Sequence, residues 1–391
     1  MKIKCRGLSE YIYITTYAIY GFIYLLNSSL LDMGKALNYV TTLATVILLL
    51  LILSKRIYKT KELLFGIIVL VCFFIAAHAT NRSQLLMFAL LIITSNNTSW
   101  ERALKTSFFT TICSLLYIAF AVKGGKIPDY TYVHSLTQTA HSGGFSYYTT
   151  LPYIVLYLIL EYLYLRGKKV SWVEIVLLQA MNYWVYNYST TKLTWILGSI
   201  ALVLEIVFVK LDFATISIAW IKKVGTVAFP ITAMVTYLCC KYYNSNNLFW
   251  NALNIALGDR IGLANRAIKE YPITIFGQYI EMYGKADIEL SKIHYSRYFY
   301  IDSGFIYSIL GYGILFTIAV IFMYSFLMRT AIEENDKSLF LWLMVVLVFT
   351  VINNTWVSLA MNPILLYFPI ALSKFIQNKY ERLTIKSQAL K

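Results

Sequence analysis

Two arginines, Arg260 and Arg266, stand in a polar stretch between long apolar runs. A guanidinium presents a planar fork of donors that matches the oxygens of a phosphate or diphosphate. Beside an apolar surface, such a pair suits a lipid whose head group is a pyrophosphate. It suits equally a solvated helix face with local ion pairs, since Lys269 and Glu270 lie close to Arg266. Asp302 opens the next apolar run. A carboxylate there can orient a sugar hydroxyl or take its proton, or it can cap helix N–H groups. Lys192 follows Tyr188-Ser189-Thr190-Thr191 at the mouth of another run, where a lysine commonly snorkels. His141 and His294 fall in polar segments, as surface residues more readily than as bases. The closest approach to a metal-binding acid pair is Asp287-Ile288-Glu289, read as a solvated face, and neither metal nor cofactor is expected.

These residues are spaced by apolar sequence. The 391-residue chain is 59% hydrophobic and only 14% charged, well below the charged fraction of a soluble domain. The apolar runs are uninterrupted rather than alternating. Their length fits a bilayer-crossing helix, which excludes a barrel. The expected fold is an all-α polytopic membrane protein of about twelve transmembrane helices, over residues 11–26, 37–53, 63–77, 84–94, 107–122, 148–165, 172–187, 193–209, 224–240, 304–328, 339–351 and 357–375. The fourth is short for a full span.

The net charge of +15 follows where the loops fall. Basic clusters trail the second, sixth, eighth and twelfth runs, all on one side, as the positive-inside rule requires. Nucleic acid is therefore not the expected partner; the lipid bilayer is. Both termini read as cytoplasmic, and the first run reads as a retained helix. The cysteines have no metal-ligand or disulfide spacing. No linker divides the chain, so 1–391 is one membrane domain, with a large extracellular loop at 241–302 between the ninth and tenth helices. Within it, 250–257 carries apolar residues at helical spacing and belongs at the membrane surface. Residues 263–271 can form a second short helix.

Taken in order, these features resemble the Wzy-type oligosaccharide repeat-unit polymerases of bacterial capsule, exopolysaccharide and O-antigen synthesis. The resemblance runs over residues 63–324 and rests on three segments. The first is Gly143-Gly144-Phe145-Ser146-Tyr147-Tyr148-Thr149-Thr150-Leu151. The family often has an Arg and then Gly-Phe-x-His-Pro-Asn there. Tyr147, Tyr148 and Thr149 replace His-Pro-Asn and no Arg stands just upstream, so no histidine role carries over. The second is Thr191-Lys192, where the family commonly has Ser-Arg; Lys192 keeps the charge and loses the fork. The third joins Leu257-Gly258-Asp259-Arg260-Ile261-Gly262, then Arg266-Ala267-Ile268-Lys269-Glu270-Tyr271, then Ile275-Phe276-Gly277-Gln278, then Tyr300-Ile301-Asp302-Ser303-Gly304-Phe305. The family runs Ser-Gly-Arg, an amphipathic helix, Phe-Gly and Asp-Ser/Asn in that order.

The resemblance implies a GT-C-like fold in the bacterial cytoplasmic membrane, with the active face extracellular. It implies a glycosyltransferase that moves a growing glycan from polyprenyl diphosphate onto the non-reducing end of a new lipid-linked repeat unit. Arg260 and Asp302 would be catalytic. Arg266, Lys192, His141, Tyr147, Tyr148 and Tyr300 would bind the polyprenyl-diphosphate-linked oligosaccharide. A flippase and a chain-length regulator of the same pathway are the implied protein partners. Two other readings share the topology: a flippase for lipid-linked oligosaccharide, and an O-antigen-ligase-like glycan transferase.

Overall fold

A computed structural model describes residues 2–54, 60–135, 138–212, 219–284 and 297–377. Asp287, Glu289, His294 and the basic runs at 55–59 and 378–391 lie outside the described residues. The chain is an all-α membrane protein. The helices are α1 (Lys2–Asn27), α2 (Gly34–Ser54), α3 (Thr60–Thr80), α4 (Gln84–Thr94), α5 (Trp100–Lys123), α6 (Thr150–Arg166), α7 (Trp172–Ser189) and α8 (Lys192–Leu204). They continue with α9 (Ala219–Lys241), α10 (Leu248–Ala256), α11 (Arg260–Glu270), α12 (Gly304–Tyr307), α13 (Ile314–Glu333), α14 (Lys337–Thr350) and α15 (Pro363–Gln377). Among the described residues, six helical stretches are long and apolar enough to cross a membrane: Gly34–Ser54, Glu62–Thr80, Trp100–Lys123, Lys192–Lys210, Lys223–Lys241 and Ile314–Glu333. Leu50, Phe74, Phe120, Met234 and Phe322 point outward from them and are more than half exposed. That is the arrangement of a lipid-facing surface, because a soluble fold would bury such a belt.

Lipid removes most of the hydrophobic drive between helices, so close packing and polar contacts decide the arrangement. α1 packs on α2 and α5, α3 on α4, α7 on α8, and α13 on α9 and α14. At the centre, Tyr324 of α13 stacks on Phe229 of α9 and on Trp356, with ring centroids 4.7 and 5.2 Å apart. Local signals set the helix ends. Ser171 and Glu174 form a capping box on α7, and Asp336 caps α14.

The loops gather at two ends of the bundle. At one end Glu10 pairs with Arg102 at 2.7 Å, Lys168 with Asp212 at 2.7 Å and Lys374 with Glu334 at 2.9 Å, and Ser373 bonds Glu62. At the other, Leu30 N–H donates to Gly144 O at 2.8 Å, Tyr188 meets Asp129, and Asn354 meets Ile301. This second end, the site end, also carries an antiparallel hairpin, β1 (Thr131–Ser135) on β2 (Gln138–His141), in the polar segment that holds His141.

Two expected helices differ. The run over 304–328 is not continuous. α12 passes into a π turn, Ser308–Tyr312, and breaks at Gly313 before α13 begins. The cause is a distant segment of backbone. Residues 274–278 enter the break: Gln278 N–H donates to Gly311 O at 2.8 Å, and the N–H groups of Ile314 and Leu315 donate to Thr274 O and Ile275 O at 3.0 and 3.2 Å. Gly277 and Gly313 sit face to face with φ of 91° and 90°, and a Cβ on either would fall 2.3 Å from the other strand of backbone. The run expected at 357–375 begins as helix only at Pro363, and 351–362 is irregular and largely buried. Buried irregular backbone persists only when its polar groups are satisfied. Here Tyr17 OH donates to Leu359 O at 3.0 Å and Tyr324 OH to Trp356 O at 2.6 Å, and Asn362 Nδ2 reaches Trp356 O at 3.2 Å.

Candidate functional site

The turn before α11 aims Arg260. Gly258 and Asp259 both take positive φ, 65° and 63°. Asn254, buried on α10, holds that turn from both sides: its Nδ2 donates to Asp259 Oδ1 at 3.0 Å and its Oδ1 accepts Gly262 N–H at 2.8 Å. Asn265 Nδ2 ties α11 to the end of α9 through Cys240 O at 2.7 Å. Arg260 is thereby directed back over the turn, with Nη1 donating to Leu257 O at 2.9 Å.

Its Nε lies 3.5 Å from Asp302 Oδ2. That distance makes an ion pair without a hydrogen bond, so among the described residues the Nε–H has no acceptor. Burial pulls the Arg260 guanidinium down, but Asp302 first, then Tyr153, Tyr298 and Tyr148, outweigh it, and the group stays charged. Asp302 is not the cap of α12. Ser303 takes that position, its hydroxyl accepting from Ile306 N–H. The carboxylate is thus left to face Arg260.

Tyr147 and Tyr148 complete this group. Their rings are 4.3 Å apart, and Tyr132 of the hairpin packs on both at 5.2 and 5.5 Å. Burial, reinforced by Tyr148, Tyr298 and Tyr153, pushes the Tyr147 phenol far above its ordinary value, so it remains a donor. Arg260, Asp302, Tyr147 and Tyr148 therefore share one locality with Tyr153 and Tyr298.

The other expected residues lie apart. Arg266 turns away on α11, paired with Glu270 at 2.7 Å and stacked 5.0 Å over Phe299. Lys192 is exposed at the first turn of α8. His141 belongs to a polar knot under the hairpin. Its Nδ1 is 2.8 Å from Asp129 Oδ2, which also accepts from Tyr188 OH at 2.5 Å, while Gly143 N–H donates to Oδ1 at 2.7 Å. Burial raises Asp129, but the bonds from Tyr188, Gly143 and His141 prevail and hold it below its usual range. Tyr300 stands with Arg82, Tyr307 and Tyr312 in a second cluster. It is joined to the first through Ile301 and Asp302.

Four of these residues carry weak sequence signals. Asp129 follows Pro128 in a polar segment, and Tyr153 and Tyr298 are hidden among many tyrosines. Arg82 carried the same mark as Arg260, a basic residue in a loop outside the basic clusters, but within a very short loop. Compared with protein-family models, with curated proteins and with solved structures, the chain finds no significant match.

Proposed function

We propose that this chain is a glycosyltransferase of the Wzy-type polymerase class, acting on polyprenyl-diphosphate-linked oligosaccharide at the extracellular face of the bacterial cytoplasmic membrane. Twelve membrane passes and a GT-C-like arrangement belong to this reading. One observation carries it: the segment ending in Tyr147-Tyr148 and the loop bearing Arg260 and Asp302 are far apart in sequence, yet they converge at one end of an apolar helix bundle.

The reaction needs little from the protein beyond placement and charge, because a diphosphate is already a competent leaving group. The acceptor hydroxyl attacks the anomeric carbon of the donor sugar, and the bond from that carbon to the diphosphate oxygen breaks. Asp302 orients the hydroxyl and takes its proton. Arg260, with its unspent Nε–H, faces the charge that develops on the departing diphosphate. Tyr147 and Tyr148 offer an aromatic wall with phenol donors for sugar rings. The basic run Arg166-Gly167-Lys168-Lys169 at the opposite end of the bundle favours a cytoplasmic location for that end.

A second reading has its own support. The broken helix at Gly313 and the buried irregular segment 351–362 are features that secondary transporters use near the membrane midplane. A flippase for the same lipid-linked oligosaccharide is therefore the alternative. Proteoliposomes containing the protein and one defined lipid-linked repeat unit separate the two. Multimers that form with wild type and fall roughly 10²-fold with Arg260→Ala support the transferase. Passage of unelongated repeat unit across the bilayer, with no multimers, supports the flippase.

A further inference from the structure

Among the described residues, Arg82 is a charge without a counter-charge. It lies in the short loop between α3 and α4, half-buried. A Schellman turn fixes its backbone: Asn81 takes φ 56° and Arg82 N–H donates to Ala77 O at 2.9 Å. Its guanidinium carbon lies 4.9 Å over the Tyr307 ring, and Nη1 donates to Tyr312 OH at 3.3 Å. Tyr300 is the third phenol acting on it. Among the described residues no carboxylate lies within ion-pair distance.

The other arginines of the site end contrast with it. Arg260 faces Asp302 and Arg266 binds Glu270, and Arg297 is exposed to solvent. A charge taken partly out of water is costly unless something pairs with it. Among the described residues, phenol rings and one hydroxyl leave most of the guanidinium donors unused.

The cage is built, not incidental. In a regular α-helix, residues five apart point about 140° away from each other. The π turn over Ser308–Tyr312 replaces that geometry with an i to i+5 repeat. Tyr307 and Tyr312 consequently meet edge to face at 5.0 Å, both against Arg82. The latch of residues 274–278 on the helix break holds this turn in place.

We infer that Arg82 and its tyrosine cage form a second anion site, which takes a phosphate- or diphosphate-bearing head group. The identity of that head group rests on the reading given above. A transfer between two lipid-linked oligosaccharides brings two diphosphates to one face, one leaving and one retained. Arg260 serves the first and Arg82 the second. A phospholipid phosphate offers the same chemistry from another source.

The test measures binding to the full chain in nanodiscs of neutral lipid, using inorganic pyrophosphate, a short-chain prenyl diphosphate, and, as a separate arm, nanodiscs doped with phosphatidylglycerol. Wild type, Arg82→Gln, Arg82→Lys and Arg260→Gln are compared, with thermal unfolding to verify folding. The expected result is two classes of diphosphate site in wild type. Arg82→Gln loses one, with at least tenfold weaker binding, Arg82→Lys retains part of it, and Arg260→Gln loses the other. Competition by phosphatidylglycerol at the Arg82-dependent class assigns the phosphate to membrane lipid, and indifference to it assigns the carrier. Binding unchanged in folded Arg82→Gln across all arms overturns the inference. Arg82-dependent binding without chain elongation leaves the site standing and removes the polymerase reading. Elongation without Arg82-dependent binding does the reverse.

Discussion

Arg260 and Arg266 are six positions apart, and a helical repeat alone would separate their directions. The contacts decide what each does. Arg266 is half exposed and satisfied by Glu270 one turn on, a pair worth on the order of 0–1 kcal/mol. Arg260 sits deeper and faces Asp302 without a hydrogen bond. Arg266→Ala is accordingly expected to retain elongation within about threefold, measured beside Arg260→Ala at matched expression. A loss equal to that of Arg260→Ala would place both in the site. Asp129 gives a pH prediction. Its folded value lies below that of an unfolded carboxylate, so its contribution is present above the unfolded value and is lost as pH falls through the folded one. The stability advantage of wild type over Asp129→Asn should therefore hold at neutral pH and fade below roughly pH 4, read by thermal unfolding in detergent. A difference independent of pH would mean that the carboxylate acts by shape alone.

At the scale of elements, the latch of 274–278 ties the loop after α11 into the helix break. Gly277→Ala puts a Cβ into Gly311 O at a backbone conformation that L residues rarely adopt. Strain of this kind costs about 1–3 kcal/mol before any clash. The expected outcome is protease cleavage near residues 272–284 in Gly277→Ala and none in wild type under the same conditions. Equal resistance would show that the latch does not hold the loop. This element explains what sequence could and could not supply. The uninterrupted runs announced their helices because apolar length is a local property. Sequence alone reads 304–328 as one run and misses the break at Gly313, since the partner that opens the helix lies thirty-some residues upstream. Likewise 357–362 reads as the start of a span because it is mostly apolar; the irregular backbone of 351–362 depends on hydroxyls from α1 and α13 and on its own Asn362. The candidate site was legible in part. Arg260 and Asp302 are marked by loop position, and Tyr147 and Tyr148 by the segment that carries the family resemblance; these four converge, Tyr153 joins them only through tertiary contact, and Arg82 stands in the separate cluster with Tyr300.

For the whole molecule, the pairing of loops at two ends makes sidedness testable. In a cysteine-free background, Lys126→Cys lies at the site end and Lys168→Cys at the other. A membrane-impermeant thiol reagent applied to intact cells should label the first and spare the second. Labelling of Lys168→Cys alone would invert the molecule and put the site inside the cell. The proposed transfer takes place at the site end. Its most direct test follows a defined lipid-linked repeat unit in sealed proteoliposomes, quantifying glycan linkages formed and polyprenyl diphosphate released in the same sample. One diphosphate released per new linkage, both abolished by Asp302→Asn, is the predicted result. Repeat units that change leaflet with neither linkage nor release would contradict it.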